Sequence, residues 1–189
     1  MKLVFLDRDG VLNEMVVDQE HGTIDSPLSP TQVKLRAEAI PALKRLQSAG
    51  FELRIATNQP AAAKGKTTKK NLEAVHEHII NTLSQAGIQI AGSHICFHRA
   101  EDTCECRKPK PGMLLEGLKK HPGIKAANCW FIGDGLTDIK AGQAAGVKTA
   151  FLAAKKSDIF RVLDSEGVNP DIWENSLSSL VDKILGEKS

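Results

Sequence analysis

The chain of 189 residues has no tyrosine, and its aromatic side chains are six phenylalanines and two tryptophans. Proteins that grip single-stranded nucleic acid stack bases on aromatic faces along a basic groove. So few rings and a net charge of +2 supply neither the platforms nor the field. A nucleic-acid partner is therefore not expected. Long apolar runs are also missing. The first, Leu3 to Leu6, stops at Asp7, too early for a signal peptide. No segment approaches the ~20 apolar residues that span a bilayer. These absences predict a cytoplasmic chain with no membrane partner. Thiols stay reduced there, so the four cysteines are expected to be metal ligands or core residues, not disulfides.

What is present is ordinary in bulk: 41% hydrophobic and 25% charged residues, enough for one domain over 1–189 with a proper core. The informative stretch is Leu3-Val4-Phe5-Leu6-Asp7-Arg8-Asp9-Gly10-Val11. An apolar run of strand length ends abruptly at two carboxylates. A buried strand ends where its sheet meets solvent, and open α/β sheets bind ligands at that carboxyl edge. Like charges as close as Asp7 and Asp9 tend to protonate unless a cation lies between them. A hard divalent ion such as Mg2+ suits oxygen ligands of this kind. A strand followed by an Asp-Gly turn is the plainer alternative.

Periodicity fills in the rest. Residues 13–36 are polar and read as a flap over the site. Helices are predicted over about 38–49, 68–86, from Pro111 to about Lys120, from Asp138 to about Ala145, and from about Leu177 to Leu185. Glycines at 50, 87 and 146 end three of them. Strands are predicted at Phe51 to Ala56, within Ile88 to Phe97, at Cys129 to Ile132, and at Val147 to Leu152. Residues 153–172 are mixed, with a short helix and a brief strand at Ile172-Trp173. Alternating strands and helices make a doubly wound, Rossmann-like parallel sheet with right-handed crossovers. In that fold Asp7, Thr57 and Asp134 follow strands one, two and four, and Lys108 lies beyond strand three. All four converge on one sheet edge, which isolated turn residues or helix caps would not do.

Together, Asp7-Arg8-Asp9-Gly10, Thr57-Asn58-Gln59, Arg107-Lys108-Pro109 and Gly133-Asp134 with Asp138 resemble the haloacid dehalogenase (HAD) superfamily of phosphotransferases. The resemblance implies a Mg2+-dependent covalent mechanism. Asp7 would attack phosphorus and become an aspartyl phosphate. Asp9 would protonate the leaving oxygen and then activate water. Mg2+ would be held by the carboxylates of Asp7 and Asp134 and the backbone carbonyl of Asp9. Thr57 and Lys108 would hold phosphoryl oxygens. Asp138 would stand behind the metal's ligands or serve as an acid in the first turn of its helix.

Cys96-Phe97-His98 and Cys104-Glu105-Cys106 are two pairs of ligand-type residues. In extended backbone, residues i and i+2 point to the same side. Three thiolates and one imidazole form a closed tetrahedral Zn2+ set, which has a structural role because no position is left open. Four unrelated thiol and imidazole side chains are the alternative. A metal-pinned loop over 96–110 would aim Arg107 and Lys108. This arrangement resembles one capless HAD branch, the histidinol-phosphate phosphatases and the D-glycero-D-manno-heptose 1,7-bisphosphate 7-phosphatases of lipopolysaccharide sugar synthesis. Pro109 to Met113 is similar to the heptose enzymes, whereas the five-residue gap between His98 and Cys104 resembles the histidinol-phosphate enzymes. The heptose bisphosphate is the favoured substrate and histidinol phosphate the alternative. Asn58, Gln59, Arg107 and Lys64 are the expected substrate contacts. Lys64 stands where the heptose enzymes carry an Arg-Gly pair, and lysine lacks the guanidinium fork.

Two further readings compete: a non-enzymatic phosphoryl-receiving switch, and a phosphatase of nucleic-acid ends. Asp9 beside the nucleophile argues against storage of a phosphate, and the charge and aromatic content argue against nucleic acid. The oligomeric expectation is a monomer or weak oligomer. His94 could rival His98 as a ligand, but an exposed edge position is preferred. His21 and His121 are expected in solvent, His76 and His78 on different helix faces, and Cys129 in the core. The basic run Lys64 to Lys70 reads as solvated. Lys155 and Lys156 have no assigned role.

Overall fold

The computed structural model describes residues 2–18, 22–154 and 157–187. In chain order, β1 (Lys2–Leu6) leads to a hairpin of β2 (Val16–Asp18) and β3 (Thr23–Asp25), then to α1 (Ala39–Ser48), β4 (Phe51–Asn58) and α2 (Lys69–Gln85). Next come β5 (Ile90–Cys96), α3 (Gly112–Lys119), β6 (Trp130–Gly133), α4 (Leu136–Ala145) and β7 (Lys148–Leu152). The chain closes with α5 (Ser157–Ser165), β8 (Ile172–Glu174) and α6 (Leu177–Gly186).

β1 is apolar throughout Leu3 to Leu6 because both its faces are covered. Val4 and Leu6 pack into one core cluster with α1, α2 and α6 through Leu43, Val75, Ile79 and Leu180. Leu3 and Phe5 point the other way, into a cluster with Met113 and Leu114 of α3 and Ala141 of α4. This period-two alternation within one strand is what sets two helical layers against one sheet. β4 and β6 flank β1 in parallel register, Leu6 lying opposite both Ile55 and Ile132. The six-stranded order is β5-β4-β1-β6-β7-β8, with every pair parallel. The chain works outward from β1 to β5, then returns to β1's other side with β6. The reversal opens a crevice between the carboxyl ends of β1 and β6, where such sheets bind ligands.

Several expectations need adjustment. The flap segment is the β2–β3 hairpin followed by a 3-10 turn at Pro30–Gln32. β4 extends to Asn58, and α4 starts at Leu136, which puts Asp138 inside the first turn. His94 is not exposed: α3 covers it, leaving it 5% accessible with Nδ1 3.4 Å from Glu116. His121 is half-buried, not solvated, and its Nε2 lies 2.9 Å from Glu52 Oε1 and 3.1 Å from Arg54 Nη2. The charges of Arg54 and Glu52 need partners on that flank, and the ring supplies one. Cys129 is fully buried in the core. His21, Lys155 and Lys156 lie outside the described residues. Among the described residues, no helix is long and apolar enough to cross a membrane.

Candidate active site and metal centre

Lys108 organises the crevice. Its Nζ lies 2.9 Å from Asp7 Oδ1 and 2.6 Å from Asp138 Oδ1, and donates to the Ala56 carbonyl at 2.9 Å. Three oxygens thus surround the ammonium, two of them from carboxylates, and the residue is buried. Burial works against the charge, but the carboxylates of Asp138 and Asp7 outweigh it and hold the ammonium well above lysine's ordinary value. Asn58 fixes the backbone beneath it. The amide nitrogen donates to the Lys108 carbonyl at 3.1 Å, and the amide oxygen accepts from the Lys108 N–H at 3.1 Å.

Asp9 is held differently. Arg8 Nε and Nη2 donate to its two oxygens at 3.1 and 3.0 Å, Asn13 Nδ2 at 2.8 Å, and Gln59 Nε2 at 2.6 Å. Burial would raise its pKa, but the Arg8 guanidinium and these donors bring it below the usual carboxylate value. Gln59 also donates to Thr57 Oγ1 at 2.9 Å, which ties the end of β4 to Asp9.

Asp7, Asp134 and Asp138 present carboxylate oxygens within 4.8 Å of one another. Burial pushes Asp7 up to about 7, with Lys108 opposing and Asp138 and Asp134 adding to the rise. Burial and Asp138 together take Asp134 up to about 6. The four carboxylates Asp7, Asp9, Asp134 and Asp138 face two cations, Arg8 and Lys108. That leaves two negative charges, the complement of one divalent cation on hard oxygen ligands. Gly10 makes the close approach possible. It sits at φ +84°, and a Cβ there would fall 1.9 Å from Asp134 Oδ2. Asp7, Asp9, Thr57, Asn58, Lys108, Asp134 and Asp138 line one cavity of about 190 Å³, with Met15 and Ser26 from the hairpin segment on its rim.

The second cluster is Cys96, His98, Cys104 and Cys106. Sγ of Cys96 and Cys104 are 3.7 Å apart, and Sγ of Cys104 and Cys106 are 3.4 Å apart. His98 Nδ1 lies 3.6 Å from Cys96 Sγ and 3.4 Å from Cys106 Sγ. Bond lengths of about 2.3 Å to sulfur and about 2.0 Å to nitrogen give a tetrahedron whose edges are roughly 3.5–3.8 Å. The donors are thus spaced for one tetrahedral metal ion and much too far apart for disulfides. Burial opposes ionisation of Cys104, but the backbone N–H of Arg107 and its thiol neighbours bring it down to about 7. Burial and the neighbouring thiols push Cys106 up to about 12. Ionising all three thiols at this spacing would require a cation among them.

Two expected contacts stand elsewhere. Arg107 Nη1 donates to the His98 carbonyl at 3.1 Å, so this guanidinium braces the cysteine loop. Lys64 is exposed and does not line the cavity. Asn58 and Gln59 face Lys108 and Asp9, as described. The residues missed from sequence are Arg8 and Asn13. Arg8 is fully buried, although an arginine between two aspartates reads as surface charge. Asn13's spacing from Asp9, one tight turn on, was the available signal.

Comparison with known proteins agrees with this geometry. The profile of the haloacid dehalogenase-like hydrolases matches residues 26–146. The D-glycero-beta-D-manno-heptose-1,7-bisphosphate 7-phosphatase of Pseudomonas aeruginosa is 33% identical over 155 residues, 82% of each chain. The histidine biosynthesis bifunctional protein HisB of Legionella pneumophila is 34% identical over 168 residues, 89% of this chain and 45% of that one. Among solved structures, the D,D-heptose 1,7-bisphosphate phosphatase from B. bronchiseptica, complexed with magnesium and phosphate, superposes with a TM-score of 0.81 at 28% identity and 98% coverage of both chains. A match of this breadth in profile, sequence and backbone settles the family: the chain belongs to the haloacid dehalogenase-like hydrolases.

Proposed function

We propose that the chain is a phosphomonoester hydrolase that passes the phosphoryl group through Asp7, with a D-glycero-D-manno-heptose 1,7-bisphosphate as substrate and its 7-phosphate as the group removed. The observation that carries the reading is Lys108 Nζ held 2.9 Å from Asp7 Oδ1 inside the acidic cavity. An ammonium there steadies the oxygens of a phosphoryl group as it reaches Asp7. A carboxylate oxygen of Asp7 forms the bond to phosphorus while the bond to the sugar oxygen breaks, and that oxygen takes a proton. Water then attacks the phosphorus of the aspartyl phosphate, loses its proton, and frees Asp7 with inorganic phosphate. Asp9 is the proton carrier in both halves. Its donors keep it ionised, which suits taking the proton from water. Giving a proton to the leaving oxygen requires the carboxyl to turn from Arg8 towards the ester and first to take up a proton from solvent, which leaving the guanidinium favours; the proton then taken from water restores it. Thr57, at the end of β4, adds a hydroxyl on the cavity wall. Mg2+ held by Asp7, Asp134 and the Asp9 carbonyl would neutralise the acids and the phosphoryl oxygens. Asp138, salt-bridged to Lys108, stands behind that set.

The cysteine and histidine cluster is read as a structural Zn2+ site, closed by its four ligands. Residues 1–189 are treated as one phosphatase domain with this loop at 96–110, working in the cytoplasm on a small phosphorylated molecule. Histidinol phosphate is the second substrate reading, favoured by the five-residue spacing of His98 and Cys104 and by the HisB relative. The test is phosphate release from the heptose bisphosphate and from histidinol phosphate side by side, with Asp7→Asn as control. Faster turnover of histidinol phosphate would exchange the two readings, and turnover by Asp7→Asn at the wild-type rate would end the covalent mechanism.

A further inference from the structure

The cavity over Asp7 continues past Asp134. Met15 and Asp134 line it and also line a second hollow of about 310 Å³, whose other walls include Glu14, Arg36, Leu152 and Asn175. Among the described residues of that hollow, Arg36 carries the only positive charge. Among the described residues, its Nε is buried with no hydrogen-bond partner and its guanidinium enters no ion pair. The nearby acids are engaged elsewhere. Glu14 Oε2 lies 2.9 Å from Lys34 Nζ, and Asp134 belongs to the cluster with Asp7 and Asp138. Guanidinium is costly to desolvate without an acceptor, and its planar fork matches two oxygens of a phosphate.

Arg36 is also fixed in place. Its backbone N–H donates to the Leu12 carbonyl at 2.9 Å, and the Glu14 N–H donates to the Lys34 carbonyl at 2.8 Å. A β-bridge joins Asn13 and Leu35 between them. The segment bearing Arg36 is thus laddered onto the turn that carries Asp7 and Asp9, so its distance from the nucleophile is set by backbone. The cations that the sequence offers for a second phosphate, Arg107 and Lys64, line neither hollow.

We propose that Arg36 binds the distal phosphate of a sugar bisphosphate whose other phosphate sits at Asp7. The transferred phosphate takes the smaller hollow, the sugar passes Met15, and the second phosphate meets the Arg36 fork beside the Asn175 amide. This rests on the reading of Asp7 as the phosphoryl-accepting residue. It makes Arg36 a specificity residue, separating bisphosphates from monophosphates.

The experiment is calorimetric, with Mg2+ present, on Asp7→Asn protein with Arg36 intact, as Arg36→Met and as Arg36→Lys. The probes are heptose 1,7-bisphosphate and heptose 7-phosphate. With Arg36 intact, the bisphosphate is expected to bind at least tenfold more tightly. Arg36→Met should bring that ratio close to one, mainly by weakening the bisphosphate, and Arg36→Lys should restore part of it. The proposal is overturned if neither sugar binds, if the ratio is near one with Arg36 intact, if it survives Arg36→Met, or if both sugars weaken equally. Turnover of the same two sugars by wild-type protein separates the two levels. No phosphate release with a ratio that depends on Arg36 condemns the catalytic reading alone. Normal release with a ratio indifferent to Arg36 condemns the distal site alone.

Discussion

The acidic crevice and the cysteine loop both gather ligand-type side chains, but they are assembled in opposite ways. Asp7, Lys108 and Asp134 come from three separated segments and meet because a buried parallel sheet brings strand ends together. Their charges are partly answered within the protein, by Lys108 and Arg8. The four donors of the loop fall within residues 96–106, and only Cys96 lies in a strand. Their sulfurs meet one another, an imidazole and a few backbone N–H groups beside an apolar cluster, and no charged side chain answers them among the described residues. Position in the crevice is inherited from the core, whereas position in the loop would depend on the metal proposed to bind there. The two meet at Cys106-Arg107-Lys108, so the loop's rigidity becomes the crevice's precision.

The sharpest way to break this contrast is to change one residue on each side. Asp7→Asn should lower kcat by at least about 10³-fold and leave the thermal midpoint at or above the wild-type value, since it removes a buried charge that its surroundings disfavour. Steady-state kinetics and a melting curve test both halves. A melting point that collapses with activity would mean that the crevice depends on its own ligands for its shape. Cys106→Ser should do the reverse in emphasis. Bound zinc should fall below stoichiometric, the melting point should drop, and kcat/KM should fall roughly 10–100-fold. Elemental analysis and melting curves distinguish this from a surface change. A Cys106→Ser protein that melts normally and lacks metal would show that the loop holds itself.

A smaller effect probes the join. Asn58 holds both sides of the Lys108 backbone. Asn58→Ala should cost about 1–2 kcal/mol of stability, near 1 kcal/mol for each hydrogen bond lost. Activity should fall about tenfold, with zinc still bound. Loss of zinc in this variant would mean that the dependence runs from crevice to loop as well.

The contrast also explains what could be read from the sequence. The Cys-x-His and Cys-x-Cys pairs are close together and follow backbone periodicity, so their convergence was legible. Asp7, Thr57, Lys108 and Asp134 became legible once strands and helices were counted, because the fold rule places strand ends on one edge. The partners of those residues were not. Asn58 and Gln59 are expected as substrate contacts; Asn58 lines the cavity, and the two also bond within the protein, to Lys108 and Asp9. Arg107 braces the His98 carbonyl. Arg8 is buried beside Asp9 although its neighbours in sequence are charged. The orientations of Asn58 and Gln59 are decided by groups across the crevice, 50 residues away in sequence; those of Arg107 and Arg8 are decided by nearer partners that the fold turns inward. His94 is buried rather than exposed for a similar reason: its strand's outer face is covered by α3, a helix whose docking no local pattern announces.

The smallest effect concerns protons. In the metal-free crevice, burial raises Asp7 to about 7 and Asp134 to about 6, well above the ordinary carboxylate value of 3.8. Both groups therefore hold protons at pH 5.5 that they would have lost in the unfolded chain. A divalent cation must displace those protons to bind at pH 5.5. At pH 7.5 it meets carboxylates that are already ionised, and it relieves their repulsion. The gain in melting temperature on adding Mg2+ should accordingly be larger at pH 7.5 than at pH 5.5, and the apparent affinity should rise several-fold across that interval. Comparing each pH with and without Mg2+ cancels groups outside the acidic cluster, such as His76, which burial and the Arg8 charge lower to about 4. Asp7→Asn should flatten most of the dependence, because it removes the group with the higher pKa. The cysteine loop supplies the control: with zinc kept bound, Cys106→Ser is not an option, but Arg107→Lys is, and it should leave the Mg2+ pH dependence as it was. A Mg2+ response that is equal at the two pH values would mean that the acids of the crevice are ionised without an ion, held by Lys108 and Arg8 alone.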